Sequence, residues 1–414
     1  MRVLFLTDVY YPRVNGVSTS IATFRAGLAA AGVATTLVAP EYGAAPERGA
    51  GPDAESGVIR VPSSRVPRDP EDRRMHWRAL LDALRPLHAQ RFDLVHVQTP
   101  FLAHYAGLRF ARAAGIPVVE TYHTFFEEYL HHYVPLLPLA LGRRLARGLT
   151  RTQCNAVDAV VAPSQPMLDM LAAIGVRSRV QVIPTGLPAD RFAPGDGARF
   201  RQQYGLPDGR PLLLYVGRVA HEKNIEFLIH SYLEVRRARP DALLVIAGEG
   251  PARAALAALV ARLGLAGDVA FVGYLDRERS RVDCYAAAAV FVFASRTETQ
   301  GLVLLEAMAQ GCAVVSTAYL GTASILQPGC GARVAPEQPG AFAQAVVDLL
   351  DDPARAARCG AAARQYARGW SAGWMAWRLR EFYAEQCARA KISPGLPPAA
   401  PGEPHERQAC IDSR

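Results

Sequence analysis

Short apolar, β-branched runs ending in Gly, Pro, Ser, Thr or Asp alternate along the chain with Ala-, Leu- and Arg-rich stretches of helical period. Successive βαβ units of a parallel sheet leave that alternation, because each buried strand reads as one apolar run and each covering helix as a one-sided stripe. Strands are predicted at 3–8, 35–40, 94–98, 118–123, 159–164 and 180–185 in the first half. In the second half they are predicted at 212–217, 243–248, 269–273, 290–295, 314–317 and 331–334. The fold class expected is α/β, with two Rossmann-like, doubly wound domains over 1–187 and 188–369. Pro184, Gly186, Pro188, Pro194, Gly195 and Gly197 break regular structure between them, so the hinge is expected near 186–196.

A last helix over about 371–390 carries Trp370, Trp374 and Trp377 at i, i+4 and i+7. That stripe is expected to dock residues 370–392 back onto the body. From 393 the Pro-rich sequence has too little apolar surface to fold, and 393–414 is expected to be disordered.

At 414 residues the chain is long for one core, and with half its residues hydrophobic and a fifth charged it has ample apolar surface for two. The net charge of +8 is mild and gathers into no basic arm, which disfavours a nucleic-acid partner and suits an anionic small substrate. Seven cysteines, odd in number and without a C-x-x-C pair, argue against a disulfide framework or a zinc site. The first apolar run is too short for a signal-peptide core and no stretch reaches spanning length, so the cytoplasm is the expected compartment.

Candidate chemistry is sought just after the strands, where open α/β sheets bind ligands. After the first strand, Asn15-Gly16-Val17-Ser18 opens a helix whose free N–H groups suit a phosphate, although an ordinary capped helix is the simpler reading of one glycine. After 212–217 come Arg218 and Lys223. Only two of the 46 basic side chains are lysines, Lys223 and Lys391, so the choice at 223 points to a site that needs a compact ammonium. Two cations there can offset the charge on a departing diphosphate, a task divalent metals perform elsewhere, and no D-x-D is present to hold a metal. After 290–295 two carboxylates form E-x7-E: Glu298 in a loop and Glu306 about two turns later on a helix stopped by Gly311, so both could face one crevice with the helix N-terminus toward a bound diphosphate. A glutamate inside so apolar a run needs a partner, either ribose hydroxyls or a core ion pair.

Two signals are set aside. Gly248-Glu249-Gly250 imitates the start of a dinucleotide fingerprint but has Arg253 at its third small position. His131 and His132 beside Glu127 and Glu128 match no compact metal-ligand spacing.

Gly217-Arg218, Lys223, and Glu298 through Glu306 followed by Ala307-Met308-Ala309-x-Gly311 resemble, in order and spacing, the retaining glycosyltransferases of family 4. The likeness extends over about 1–390 and implies the GT-B fold, two Rossmann-like domains facing across a cleft. It implies that Arg218 and Lys223 contact the donor diphosphate, with Gly301 and Leu302 in the same donor site. Glu306 is then placed on the ribose, Glu298 on the transferred sugar, Gly16 by the distal phosphate, and His123 beneath the sugar near the reacting carbon. Residues 120–133, with Thr297-Glu298-Thr299-Gln300-Gly301, look most like the branch of diacylglycerol glucosyltransferases and mannosyltransferases of lipid or cell-envelope acceptors. Tyr10, Tyr122, Glu127 and Tyr129 are the candidate acceptor contacts. Two departures stand out: Thr185 where the family often has asparagine before glycine, and Asn15-Gly16 where many members have two glycines.

The resemblance implies a nucleotide-sugar donor such as UDP-glucose or GDP-mannose, a lipid or glycan acceptor, and no cofactor or metal. The rival classes are a GT-B epimerase of nucleotide sugars and a noncatalytic binding protein. From Leu136 to Arg151, leucines interleave with Arg143, Arg144, Arg147 and Arg151 without an acid, which fits either peripheral contact with an anionic membrane or a solvated helix face.

Overall fold

The computed structural model describes residues 1–43, 56–66, 69–123, 139–275 and 280–392. Its two main sheets are wholly parallel. The first runs β3-β2-β1-β6-β7-β8-β9, built from β1 Arg2–Leu6, β2 Ala34–Pro40, β3 Val58–Val61, β6 Leu94–Val97, β7 Val118–Thr121, β8 Ala159–Ala162 and β9 Arg179–Val182. The second runs β12-β11-β10-β13-β14-β15, from β10 Leu212–Val216, β11 Leu243–Ala247, β12 Val269–Gly273, β13 Val290–Phe293, β14 Ala313–Ser316 and β15 Arg333–Val334. Both orders reverse beside the first strand of their sheet, β1 next to β6 and β10 next to β13, so each sheet opens a crevice there at its carboxyl edge.

Every predicted strand is present, and most end one to three residues sooner than their apolar run suggests. Three strands were not anticipated: β3, and the antiparallel hairpin of β4 Ser63–Val66 with β5 Asp69–Met75. The hairpin is too rich in charged residues, Pro and Ser to read as apolar runs, whereas β3, Val58-Ile59-Arg60-Val61, is a short apolar run broken by Arg60.

The last helix, Ala372–Ile392, packs on the first domain, and of the three tryptophans only Trp370, just before it, is partly buried there. Trp374 and Trp377 stack on each other in solvent, 50% and 44% exposed. Met375, Ala376, Leu379, Phe382 and Tyr383 form the buried stripe, packed with Ile21, Phe24 and Leu28 of the helix Gly16–Ala30. The reason is steric: a Cβ added at Gly27 would stand 2.5 Å from that of Ala376, a crossing too close for indoles. The chain therefore passes between the domains twice, and the two passages lie together, with Leu187 N–H donating to Trp370 O and Ala372 N–H to Leu187 O.

Candidate active site

The second domain supplies the charged part of the site. Leu212–Val216 is fully buried, and Gly217 turns the chain out over Tyr215, whose hydroxyl donates to Arg218 O at 3.0 Å. Gly248 and Gly250 allow the loop after β11 to lie against this turn: a Cβ at Gly248 would be 1.9 Å from Gly217 O, and one at Gly250 2.3 Å from Val219 O. The glycine pair set aside as a dinucleotide signal thus serves close backbone approach. Beyond it the turn His221–Lys223 is closed by Asn224, held left-handed at φ 56°. The Asn224 amide donates to Ala294 O at 3.2 Å and to Glu337 at 2.8 Å, tying the lysine turn to the end of β13.

That tie brings two candidate residues together. Lys223 Nζ donates to Glu298 Oε1 at 2.5 Å, both side chains largely shielded from water. Arg218 is more open, with its guanidinium 3.7 Å from Glu222. Gly301, left-handed at φ 96°, caps the helix Leu302–Ala309, whose free N–H end therefore follows directly on the loop that carries Glu298. Glu306 is nearly buried on that helix, and its Oε2 accepts from Arg281 at 2.7 Å and from the Tyr285 hydroxyl at 2.9 Å. Although burial alone would lower it, the Arg281 pKa is raised above its ordinary value by the Glu306 charge. Arg281 and Tyr285 went unnoticed in the sequence. Their i, i+4 spacing on one helix is the signal that could have paired them with a buried acid.

The first domain supplies a face on which the histidine is uncharged. His123, just past β7, donates from Nε2 to Gln98 Oε1 at 3.0 Å, and desolvation pushes its pKa down to about 4. Behind it His96 joins the Tyr383 hydroxyl at 2.5 Å to Thr121 at 2.7 Å, so the last helix reaches the floor of this face. Asp8, also unmarked in the sequence, lies buried at the end of β1. It accepts from Thr99 Oγ1 at 2.7 Å and from Ala103 N–H at the start of the helix Leu102–Ala114, while burial raises its pKa to about 6.

Gly16 is exposed with open space above it, and Asn15 caps its helix by accepting from Ser18 N–H at 2.8 Å. Of the candidate acceptor contacts, Tyr10 and Tyr122 are core residues rather than surface ones, Tyr10 with no exposed area and Arg60 over its ring. Glu127 and Tyr129 lie outside the described residues, as do His131, His132 and the tail from 393. A concavity of about 780 Å³ between Arg201, Arg210 and Arg239 borders Pro211 and Ala289, at the amino ends of the second sheet's strands, away from this site.

Among the described residues no helix is long and apolar enough to cross a membrane. In the helix Leu139–Cys154 the buried positions are Gly142, Ala146, Thr150, Gln153 and Cys154. Leu141, Leu145 and Leu149 face out at 47%, 54% and 45% exposure, flanked by Arg143, Arg144, Arg147 and Arg151.

A family profile described as Glycosyltransferase Family 4 matches residues 14–191, and one described as Glycosyl transferases group 1 matches residues 196–366. The chain is 32% identical over 324 residues to the alpha-monoglucosyldiacylglycerol synthase of Streptococcus pneumoniae, covering 76% of this chain and 71% of that one. It is 30% identical over 335 residues to a GDP-mannose-dependent alpha-mannosyltransferase of Mycolicibacterium smegmatis, covering 79% and 82%. Among solved structures, the sucrose-phosphate synthase of Thermosynechococcus elongatus superposes with a TM-score of 0.76 at 23% identity, over 94% of this chain and 100% of that one. An Anabaena protein in complex with UDP-glucose superposes with a TM-score of 0.71 at 18% identity, over 93% and 100%. At such identities the structural likeness speaks for the fold, which is GT-B.

Proposed function

The chain belongs to glycosyltransferase family 4, and on that premise we propose that it moves a hexosyl group from a nucleotide diphosphate sugar, UDP-glucose or GDP-mannose, to a lipid or glycan acceptor, with retention and without a metal ion. The observation that carries this reading is the meeting of Lys223 and Glu298 beside the free helix end at Gly301.

The bond from the anomeric carbon to the diphosphate breaks while the acceptor oxygen bonds to that carbon from the same face. The acceptor's proton passes to the departing phosphate oxygen, so no protein carboxylate has to be a nucleophile. Lys223, Arg218 and the N–H end at Leu302 offset the charge that grows on the leaving diphosphate, with Gly16 near its distal phosphate. These cations do the work of a metal, and the sequence has no D-x-D to bind one. Glu298 accepts from sugar hydroxyls and orients the ring. His123, neutral because it is desolvated, donates from Nε2 to Gln98 and keeps the Nδ1 lone pair for the electron-poor ring. Glu306, braced by Arg281 and Tyr285, receives the ribose.

A lipid acceptor is favoured by the outward leucines of Leu139–Cys154, which lay an apolar stripe between arginines and so suit the surface of an anionic membrane on its cytoplasmic side. The test is a thermal-shift panel of UDP, GDP and ADP, then transfer from the matching radiolabelled sugar to a lipid extract. Stabilisation by one nucleotide with labelled lipid is expected; binding without transfer would leave a noncatalytic protein.

A further inference from the structure

Gln300 sits between the two E-x7-E carboxylates, and neither the diphosphate nor the sugar occupies it in the reading above. Its side chain is buried and points across the cleft to the passage between the domains. The amide Oε1 accepts from Thr185 N–H at 2.8 Å and Nε2 donates to Thr185 O at 2.7 Å, so one side chain imitates the paired bonds of a neighbouring strand. One position earlier, Ser164 Oγ of the first domain donates to Thr299 O at 2.7 Å. On the opposite side Gly321 N–H donates to Glu298 O at 2.9 Å, and a Cβ there would stand 2.2 Å from Thr299 C. The loop that carries Glu298 is thus gripped from both sides.

Thr185 is equally fixed. Its hydroxyl meets Ser20 at 2.7 Å, on the helix that begins at Gly16. Two residues on, Leu187 is bonded to the second passage at Trp370 and Ala372, and a Cβ at Gly186 would stand 2.6 Å from Ser371 O. Gln300 therefore holds a point that both passages and the first helix already locate. Because it reads the backbone, the threonine at 185 costs it nothing.

We propose that Gln300 is a positioning residue for the transfer step, latching the Glu298 loop of the second domain to the Thr185 linker so that Glu298 meets the sugar only in the closed register. The inference rests on the role given to Glu298. It touches neither nucleotide nor acceptor, so its loss lowers kcat and spares nucleotide affinity.

The experiment compares full-length Q300A, Q300E and E298A with the unaltered chain, measuring kcat against pH and the Kd of the nucleoside diphosphate that stabilises it. Q300A is expected to keep Kd within about twofold and to lose at least about tenfold in kcat, equivalent to one well-made bond with some strain. In Q300E the ionised carboxylate opposes Thr185 O, whereas the protonated acid restores both bonds. Its kcat relative to the unaltered chain should therefore climb as pH falls, while that of Q300A stays level. The ratio cancels the titration of Glu298, Lys223 and other shared groups. Unchanged kcat in Q300A, or a pH-independent ratio for Q300E, overturns the latch. If Q300A does not fold, the Q300E ratio decides. An E298A enzyme with undiminished kcat would instead overturn the role of Glu298 itself.

Discussion

Lys223 and Glu298 are 75 positions apart in the chain and 2.5 Å apart in space. The sheet order explains it: β10 and β13 are neighbours, so the turn after one and the loop after the other share the same edge. Each charge makes the other tolerable in a partly dry cleft, and in the proposed mechanism Lys223 exchanges Glu298 for the diphosphate while Glu298 turns to the sugar hydroxyls.

Removing the ammonium tests this first. K223A should lose on the order of 2.7–4 kcal/mol of transition-state stabilisation, as when one preorganised donor to a developing anion is deleted. Initial rates at saturating donor measure it. A fall in kcat of less than about tenfold, roughly 1.4 kcal/mol, would remove Lys223 from the chemistry.

Asp8 yields a prediction about stability. Its carboxyl titrates at about 6 in the fold against 3.8 when free, mainly because it is buried. As pH rises the unfolded chain gives up that proton first, so the folded state loses roughly 3 kcal/mol between about pH 4 and 6 and does not regain it above. D8N removes the charge and keeps an acceptor for Ala103 N–H. In urea unfolding, D8N should gain on the unaltered chain by about 2–3 kcal/mol from pH 4 to pH 7. An equal difference at both pH values would contradict the assignment.

The leucine stripe gives a third prediction. Leu145→Asp with Leu149→Asp changes two exposed positions, so Tm should hold while affinity for anionic phosphatidylglycerol vesicles drops by at least about tenfold. Sedimentation with anionic and zwitterionic vesicles measures it. Undiminished binding to the anionic ones would mean that the membrane is met elsewhere.

Most of the fold was legible in the sequence because buried parallel strands are continuous apolar runs and need no long-range information. Their ends were read up to three residues too long, because the polar residues that close each run, Thr7-Asp8, Gln98 and Tyr122-His123, already belong to the turn above the sheet edge although Thr7 and Gln98 still donate to Val38 O and Leu6 O. The tryptophan stripe misled for a different reason: period identifies a face, but only the close approach at Gly27 and Ala376 decides which face fits. In the site, residues linked by a conspicuous spacing, Glu298 and Glu306 or Arg218 and Lys223, could be found. Asp8 and the partner of Gln300 could not, because each acts on a residue that only the folded chain brings near, and Arg281 and Tyr285 were missed although their i, i+4 spacing on one helix was there to read.

The most direct measurement is the anomeric configuration of the product, formed in excess EDTA from an α-linked donor. Glu298 is held by Lys223, and in the proposed mechanism it orients the sugar rather than attacking it, so NMR should show an α-linkage made at an undiminished rate. A β-linked product, or a strict requirement for added magnesium or manganese, would contradict the mechanism.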